Sequence, residues 1–378
     1  MRILIIGGGI GGLATAIGLR LHGHEPIVFE QASQLREVGA GVSLWPNALR
    51  AADHLGIGDA IHQQAVSEGQ GGMRSWDGML LSEMDIEEFR ATLGDVTVVL
   101  HRAELLALLH QALGDVPVTL SARCLTVTQD EQGVVAHFAD GTQAQGDLLI
   151  GADGLRSKVR ESLFGFAPPT YSGYTGWRAI IEFEHTKLTA GISIGRGAQV
   201  GQVPMSHNRV YWFATQNLPE GEAPLPGGDK QGLLDIFHDW HAPIPELIAT
   251  IDEDALLRDD IYDRTPIREW GRERVTLLGD AAHPMTPNMG QGACQALEDA
   301  VVLTHCVGSI DDSIQALRAY EQRRMKRANT IVRQSRLLGR ILQLNNTPLC
   351  WMRDAVFGSA SFARMQIGQL QKTLAFEL

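Results

Sequence analysis

The sequence MRILIIGGGIGG occupies residues 1–12 and predicts a strand, a tight turn and the start of a helix. The strand is the β-branched apolar run 3–6, and the glycines that follow match the G-x-G-x-x-G pattern that opens a helix. Gly7 allows the turn, Gly9 leaves room for a pyrophosphate against the backbone, and Gly12 lets the helix pack closely on the strand. The segment therefore predicts the start of a Rossmann βαβ unit.

A second predicted strand, 26–30, ends in Glu30. This residue lies about 20 residues beyond the glycines, where a carboxylate can hydrogen-bond the ribose of a dinucleotide. The free N–H groups at the helix N-terminus would face the phosphates. A glycine turn that binds no ligand is the alternative, but the preceding strand and the following acid favour dinucleotide binding. These residues leave open whether the dinucleotide is FAD or NAD.

Length, charge and cysteine content narrow the class of protein. The 378 residues predict roughly two domains. The net charge of −12 argues against nucleic acid as a partner. The cysteines show no paired spacing, which argues against disulfides and favours a reducing cytoplasm. We find no signal-peptide pattern and no apolar run of the ~18 residues that a transmembrane helix needs. Small molecules are therefore the expected partners.

Two further glycine-acid motifs follow apolar strands. In Gly151-Ala152-Asp153-Gly154, Asp153 stands at the C-terminal end of a strand, where α/β sheets bind ligands, although an Asx turn or a helix cap is the alternative. Gly279-Asp280 precedes a glycine-rich turn, 287–292, that opens a long apolar helix. This would direct a second helix N-terminus at an electron-rich ligand.

Basic and aromatic residues give further candidates. Arg102 begins a predicted helix, where a cation opposes the helix dipole, so we expect it to face an anion. Residues 165–265 alternate in polarity and are rich in aromatic side chains, which predicts an antiparallel sheet with one covered face. On this sheet Tyr211 and His207 are candidates to deprotonate or orient a substrate, and Arg178 could hold a carboxylate or an enolate. Packing or surface roles are the alternatives for all three residues.

Together the three glycine-acid motifs resemble the FAD-dependent aromatic hydroxylases, the flavoprotein monooxygenases built like p-hydroxybenzoate hydroxylase. The likeness spans nearly the whole chain and is greatest to the salicylate-, urate- and alkylquinolone-hydroxylase-like branches. It implies that Asp153 serves both FAD and NAD(P)H and that Asp280 binds the ribityl chain. It places bound FAD against Gly7, Gly9, Ile10, Gly11, Gly12, Glu30, Gln31, Arg36, Ser43, Arg102, Cys124, Asp153, Asp280, Pro287, Gly290, Gln291, Gly292 and Ala293.

The resemblance also implies an α/β fold and its division. We expect a Rossmann-type FAD-binding domain at 1–65, 101–165 and 266–345, with an inserted, mostly antiparallel β-sheet substrate domain at 66–100 and 166–265. C-terminal helices would complete the fold, with one helix at 346–378. The apolar tail predicts packing against the body, and a peripheral membrane contact or a dimer contact is the alternative. A monomer and a homodimer both stay open.

The implied reaction hydroxylates an aromatic or heteroaromatic small molecule with NAD(P)H and O2 through a flavin C4a-hydroperoxide. Because a second G-x-G-x-x-G is missing, NAD(P)H would bind across the FAD site. An epoxidase or hydroxylase of a lipophilic alkene or polyketide is the second hypothesis, and a flavin-binding sensor is the non-enzymatic one. No metal is expected, since His22 and His24 fit a polar loop better than a metal site.

Two departures bear on the substrate. Urate hydroxylases carry an arginine on a sheet strand where this chain has Gln199, which argues against urate, although Tyr211 matches the tyrosine that reaches urate in those enzymes. Arg178, Gln199 and Tyr211 are the expected substrate-binding residues. The Trp-x-Trp-x-Ile motif of the related flavin halogenases is not reproduced around Trp177.

Overall fold

A computed structural model describes residues 1–35, 41–67, 71–84, 86–93, 96–184, 188–376 and 378. Arg36, one of the predicted FAD contacts, lies outside the described residues. The strands in chain order are β1 (Arg2–Ile6), β2 (Glu25–Phe29), β3 (Gly41–Leu44), β4 (Val66–Ser67), β5 (Gly71–Ser75), β6 (Leu80–Met84), β7 (Val98–His101), β8 (Val118–Thr119), β9 (Cys124–Gln129), β10 (Val134–Phe138), β11 (Gln143–Gly146), β12 (Leu148–Gly151), β13 (Thr170–Glu182), β14 (Gly191–Ile194), β15 (Ala198–Met205), β16 (Arg209–Gln216), β17 (Leu257–Asp263), β18 (Gly271–Arg272) and β19 (Val275–Leu277).

The α-helices alternate with these strands and then fill the C-terminal part of the chain. They are α1 (Ile10–Leu21), α2 (Pro46–His54), α3 (Gly58–Gln64), α4 (Ile86–Leu93), α5 (Arg102–Leu113), α6 (Lys158–Phe164), α7 (Asp229–Phe237), α8 (Ile244–Thr250), α9 (Gly292–Ser309), α10 (Ser313–Leu342), α11 (Thr347–Phe357) and α12 (Ala360–Leu374). Short 3-10 turns cover Glu253–Ala255, Gly279–Ala281 and Pro287–Met289.

The first sheet has the strand order β18-β19-β12-β1-β2-β8 and is parallel except for the β18–β19 pair. Its central strand, β1, aligns Ile5 with Val28 of β2 and with Ile150 of β12. All of β12 and the apolar part of β1 are buried, as expected for parallel strands covered on both faces. The carboxyl ends of β1, β12 and β19 therefore meet at one edge, and each of the three glycine-acid motifs follows or ends one of these strands.

The second sheet has the order β17-β13-β16-β15-β14-β5-β6 and is antiparallel except for the β14–β5 pair. A hydrophobic cluster beneath α7 and α8 covers one face and includes the buried Trp177 and Trp212. Arg178, Tyr211 and Phe213 alternate with these residues and occupy the opposite face. The α/β fold with a mostly antiparallel second sheet is thus confirmed.

The predicted domain boundaries stay a prediction. Strands β5 and β6, from the 66–100 segment, join the same sheet as the strands between 170 and 263, which agrees with an insertion in two parts. Strands β4 and β7 of that segment instead pair with β3.

The C-terminal segment 346–378 differs from the single predicted helix, because it contains two helices, α11 and α12. The break falls at Gly358 and Ser359. The Ser359 hydroxyl accepts a hydrogen bond from the Phe362 N–H at 3.2 Å and so starts a new helix. The chain can therefore turn back on itself at this point.

Candidate active site

A cavity of about 870 Å3 lies at the carboxyl edge of the first sheet. This volume is in the range of cofactor sites. Its wall is built from all three glycine-acid motifs, although they are up to 270 residues apart in the chain. The predicted FAD contacts that line it are Gly7, Gly9, Ile10, Gly11, Glu30, Gln31, Arg102, Cys124, Asp153, Asp280, Gly292 and Ala293.

The first glycine turn shows a different steric reason for each of its glycines. Gly7 has φ +113°, and a Cβ there would lie 2.2 Å from the carbonyl oxygen of Ala152. A Cβ at Gly12 would lie 1.9 Å from the Gly7 carbonyl oxygen, so this glycine lets α1 pack on β1. A Cβ at Gly9 would meet no atom of the described residues within 4 Å, because it would point into the cavity. Gly9 therefore leaves the backbone open to a ligand.

Glu30 is held in place at the end of β2. One carboxylate oxygen accepts a hydrogen bond from the Gly8 N–H at 2.6 Å, and the other accepts from the Ala32 N–H at 2.7 Å. Each carboxylate oxygen retains a second lone pair. Glu30 can therefore accept ribose hydroxyl groups without rearranging.

Asp153 caps α6 while it lines the cavity. Its carboxylate accepts hydrogen bonds from the Ser157 hydroxyl at 2.5 Å, the Lys158 N–H at 2.7 Å and the Val159 N–H at 3.2 Å. Desolvation raises the pKa of this carboxyl, and the hydrogen bonds act in the opposite direction. Asp153 therefore both caps helix α6 and faces the cavity.

Arg160 connects the second motif to the third. Its guanidinium donates from Nη1 to the carbonyl oxygens of Ala281 and Ala282, at 3.1 and 3.2 Å. Burial, with the nearby charge of Arg264, lowers the pKa of Arg160 to about 10, so it stays a cation at neutral pH. It therefore fixes the turn that carries Asp280 against α6.

Asp280 is open to the cavity but surrounded on its other sides by protein. Desolvation raises the pKa of its carboxyl, while interactions with His283 and Arg102 lower it. Burial also disfavours the charged form of Arg102 and so lowers its pKa, whereas the interaction with Asp280 raises it. Arg102 therefore interacts electrostatically with Asp280, and its role in facing an anionic ligand stays a prediction.

A buried charge network holds the Asp280 turn from behind. Oδ2 of Asp299 accepts from the Gly279 N–H at 3.0 Å and lies 2.5 Å from Nε2 of His283. Oδ1 of Asp299 accepts from Nε of Arg324 at 2.7 Å. Burial opposes ionisation, yet interactions with His283 and Arg324 hold the pKa of Asp299 below its usual value. The acid therefore stays charged inside the protein.

The neighbouring acid, Glu298, extends this network to α2. Its carboxylate accepts from Arg324, from Nε of Arg327 at 2.7 Å and from Nδ2 of Asn47 at 2.6 Å. Asn47 also donates to Oε1 of Gln291 at 3.0 Å. The Gln291 side chain at the start of α9 is thus held by Asn47 of α2 and by Gln295 of α9.

Several predicted FAD contacts do not line the cavity. Gly12, in the first turn of α1, faces the backbone of Gly7. Gln291 is only 2% exposed and belongs to the buried network. Gly290 adopts a left-handed conformation, with φ +61°, beside the Trp45 indole. Ser43 on β3 and Pro287 in a 3-10 turn likewise lie outside the cavity wall.

Three predicted substrate residues share the face of the second sheet that is opposite α7 and α8. The β13–β16 register pairs Arg178 with Phe213, and Tyr211 lies two residues from Phe213 on the same face. Gln199, 4% exposed, pairs with Thr215 on this face. Arg178, Gln199 and Tyr211 do not line the 870 Å3 cavity, but Arg178 and Tyr211 interact with Arg102, which does. The sheet face and the cavity therefore meet at Arg102.

His207 does not lie on this face of the sheet. His207 lies in the turn between β15 and β16, with φ +62°, and its side chain is exposed. Its prediction as a catalytic residue on the sheet is therefore wrong in its position, because the strand ends at Met205. The alternation predicted over residues 165–265 did not indicate where β15 ends.

Sequence reasoning missed several residues of the site. Arg123, Arg156 and Arg264 line the cavity without belonging to any of the three motifs. His283 and Asp299 follow the Gly-Asp motif in sequence, so their proximity to it was the available signal. Among the described residues, no group of three or more His, Cys, Asp or Glu side chains is placed to hold a metal ion.

The residues at the cavity fit a dinucleotide. Within the described part of the chain, no side chain caps the N-terminus of α1 or of α9, and both termini line the cavity. Their N–H groups, with the open backbone at Gly9, suit a pyrophosphate. Glu30 suits a ribose, and Asp280 suits a hydroxylated chain.

A family model described as FAD binding domain matches residues 1–335. The chain belongs to this family. The chain is therefore an FAD-dependent monooxygenase that uses NAD(P)H and O2, and we propose the cavity as its FAD site.

Similarity to known proteins covers 88% to 99% of the chain. Aurachin C monooxygenase/isomerase of Stigmatella aurantiaca is 42% identical over 368 residues, 97% of this chain and 96% of that protein. Chloroplastic zeaxanthin epoxidase of Solanum lycopersicum is 36% identical over 354 residues, 88% of this chain and 53% of the epoxidase. The crystal structure of Klebsiella pneumoniae HpxO complexed with FAD and uric acid has a TM-score of 0.92 and 32% identity, covering 99% and 96% of the two chains.

Proposed function

We propose that this monooxygenase hydroxylates an aromatic or heteroaromatic ring held between the FAD cavity and the face of the second sheet that carries Arg178 and Tyr211. The observation that carries the proposal is the alignment of Arg178, Tyr211 and Phe213 on one sheet face, beside Arg102 at the cavity wall. FAD, when bound, supplies the redox chemistry with NAD(P)H and O2. The protein binds and orients the ring and excludes water.

Tyr211 would orient the substrate as a neutral phenol. Burial raises the pKa of its hydroxyl, while Arg178 and Arg102 act in the opposite direction. The phenol therefore stays protonated at neutral pH and can donate a hydrogen bond. The Tyr211 ring is fixed by Gly41 of β3, where a Cβ would lie only 2.5 Å from its Cγ.

Arg178 would hold a negative oxygen of the substrate. Its Nη2 pairs with Asp259 at 2.8 Å, while its buried Nε has no hydrogen-bond partner among the described residues. An unpaired buried N–H is costly unless a ligand accepts its hydrogen bond. A phenolate, an enolate or a carboxylate would supply that acceptor. This arrangement favours rings that carry an ionisable oxygen.

We infer that urate is not the substrate. Gln199 is neutral, whereas the resemblance places an arginine at this position in urate hydroxylases. The relative from Stigmatella aurantiaca is named for aurachin C, which supports testing quinolones first. We also propose a cytoplasmic location, supported by four free cysteines in the described part of the chain, and a monomer or homodimer.

Turnover by the FAD-loaded protein tests the proposal. NAD(P)H oxidation, O2 uptake and product mass would be measured with quinolones, salicylate, simple phenols and urate. We expect one ring class to stimulate NAD(P)H oxidation and to gain one oxygen atom. NAD(P)H oxidation that no ring stimulates would refute it.

A matched pair of variants connects the activity to the sheet face. Tyr211→Phe should lower kcat/KM about 3- to 10-fold, the worth of one hydrogen bond, with unchanged FAD content. Tyr171→Phe is the control, because its hydroxyl donates to the Leu218 carbonyl oxygen, outside the cavity wall. Equal activity of the two variants would remove Tyr211 from the site.

An epoxidase is the second candidate, and the similarity to zeaxanthin epoxidase favours it. An epoxide and a phenol have the same gain in mass, so mass alone does not separate them. Mild acid opens an epoxide to a diol and leaves a phenol unchanged. A product that adds water under acid would therefore favour the epoxidase.

A further inference from the structure

Large apolar side chains are exposed together at the C-terminal side of the second sheet. We call this set the apolar patch. Trp351 is 81% exposed, Met352 65% and Met365 62%. The patch comprises Trp76, Met79 and Leu80 near the β5–β6 turn, Leu349, Trp351, Met352 and Val356 on α11, and Met365 on α12.

Helix α11 separates an inner face from an outer face. Its inner face carries Cys350, Arg353 and Phe357, which are buried and spaced by three and four residues. Its outer face repeats that spacing with Leu349, Met352 and Val356, and these are exposed. The helix therefore carries apolar residues on both faces, and only the inner face is covered by the described chain.

Contacts beneath the helix join the patch into one surface. Phe357 packs in a cluster with Leu81 of β6, and its ring stacks on Phe362 of α12 with centroids 4.6 Å apart. Nη1 of Arg353 donates to the Gly195 carbonyl oxygen at 3.0 Å. A Cβ at Gly195 would lie 3.5 Å from Cβ of Trp76. Helices α11 and α12 thus lie beside the β5–β6 turn.

The C-terminal segment that carries α11 and α12 is basic, unlike the whole protein. Residues 322–376 contain ten Lys or Arg residues and a single acid, Asp354, whereas the whole chain has a net charge of −12. Arg333 and Arg340 on α10 and Arg364 and Lys372 on α12 are exposed. Arg340 lies next to Ile341, which packs on the cluster that contains Phe357. Arg324, Arg327, Arg336 and Arg353 are paired with acids of the protein. The exposed cations next in sequence to residues that contact or belong to the patch are Arg340 and Arg364, and the exposed acid Asp77 lies in the β5–β6 turn.

We propose that the apolar patch docks on the surface of a bilayer that contains anionic lipid. Trp351, Met352 and Met365 enter the interface, where tryptophan is favoured. Arg340 and Arg364 contact lipid phosphates. The helices lie on the bilayer, since no helix of the described chain is long and apolar enough to cross it.

A second copy of this chain fits the patch less well. A two-fold dimer places the same surface on both subunits, so the basic residues would face one another. Anionic headgroups instead supply the opposite charge. Docking is independent of the proposed substrate, since no patch residue lines the FAD cavity.

Vesicle sedimentation with the FAD-loaded full chain tests the proposal. Vesicles of phosphatidylcholine alone would be compared with vesicles that also contain phosphatidylglycerol, at low and high salt. We expect binding to the anionic vesicles that weakens as salt screens the charges. The double variant Trp351→Ser, Met352→Ser should lose about tenfold in binding, since it removes two apolar side chains from the interface.

Matched variants separate docking from a general loss of solubility or charge. Leu125→Ser removes an exposed apolar residue on β9, 49% exposed, and should leave vesicle binding unchanged. Arg340→Glu should weaken binding, whereas Arg268→Glu, an exposed arginine outside residues 322–376, should not. Bound FAD, measured by absorbance, verifies that each variant is folded.

A second measurement locates Trp351 in the bilayer. Lipids brominated near the headgroup should quench the tryptophan fluorescence of the natural protein more than that of Trp351→Phe, in which Trp76 is the remaining tryptophan of the patch. Absence of binding to anionic vesicles, or equal binding by the serine double variant, would overturn the proposal. A dimer that the serine double variant dissociates would also overturn it and assign the patch to a second copy.

Discussion

Helices α1 and α9 direct their N-termini at the same cavity, but different forces hold them. Helix α1 is fixed by backbone contact, because Gly7 and Gly12 allow it to approach β1 without side chains between them. Helix α9 is fixed by the buried network of Asp299, Glu298 and Arg324. Both helix N-termini are therefore positioned at the cavity, one by close backbone packing and the other by buried ion pairs.

A steric change in the turn before α1 has the largest expected effect. Gly12→Val should prevent folding, because its Cβ would lie 1.9 Å from the Gly7 carbonyl oxygen in the backbone of the turn. Gly9→Ala is the matched control, since its Cβ points into the cavity. We expect Gly9→Ala to fold but to retain less FAD. Soluble expression, circular dichroism and flavin absorbance measure both effects, and a folded, yellow Gly12→Val protein would contradict the steric account.

The corresponding change at α9 removes a charge. Asp299→Asn leaves the buried Arg324 with one acid fewer and should lower the free energy of unfolding by about 3–5 kcal/mol. Glu269→Gln disrupts the exposed pair with Arg272, 3.8 Å apart, and should cost less than about 1 kcal/mol. Urea unfolding of both proteins tests this. Similar stability of the two variants would show that α9, like α1, needs only packing.

Acid should reveal the same difference. Because the folded-state pKa of Asp299 lies below the usual value of about 4, its contribution is complete above that value and is lost as the pH falls through the folded-state pKa. The natural protein should therefore lose stability at low pH more steeply than Asp299→Asn. Urea unfolding from neutral pH to about pH 3 measures both slopes. Parallel slopes would contradict a charged Asp299.

The ligand side of the α9 turn should show a smaller effect. Asp280→Ala removes a carboxylate that faces the cavity and should weaken FAD binding about 10- to 100-fold, the worth of a charged hydrogen bond. Stability of the FAD-free protein should hardly change, since this side chain is open to the cavity. Fluorescence titration with FAD measures the affinity. Unchanged affinity would remove Asp280 from the FAD site.

The smallest change concerns the acid at the far end of the cavity. Glu30→Gln replaces one of two accepting oxygens with a donor and opposes the N–H of Gly8 or Ala32. We expect FAD affinity to fall about fivefold. Glu25→Gln, exposed on β2, is the control. A larger loss of FAD affinity in Glu30→Gln than in Asp280→Ala would show that Glu30 contributes more to FAD binding than Asp280.

Local steric rules made the first half of the site predictable. The spacing of Gly7, Gly9 and Gly12 depends on backbone contacts within a single turn, so residue type and interval suffice to predict it. The Asp153 cap and the Asp280 turn also involve neighbours in sequence. The second sheet was predictable as alternating strands, but the end of β15 was not, and His207 was misplaced for that reason.

Residue types and their spacing were enough to predict the Rossmann turn, the acids that accompany it and the likeness to flavoprotein hydroxylases. Contacts between residues far apart in the chain became visible in the folded protein. Arg160 reaches the carbonyl of Ala281, Asn47 reaches Glu298, and strand register places Arg178 beside Tyr211. Turns follow from short-range sterics that each residue carries with it, whereas these contacts depend on how whole helices and strands pack.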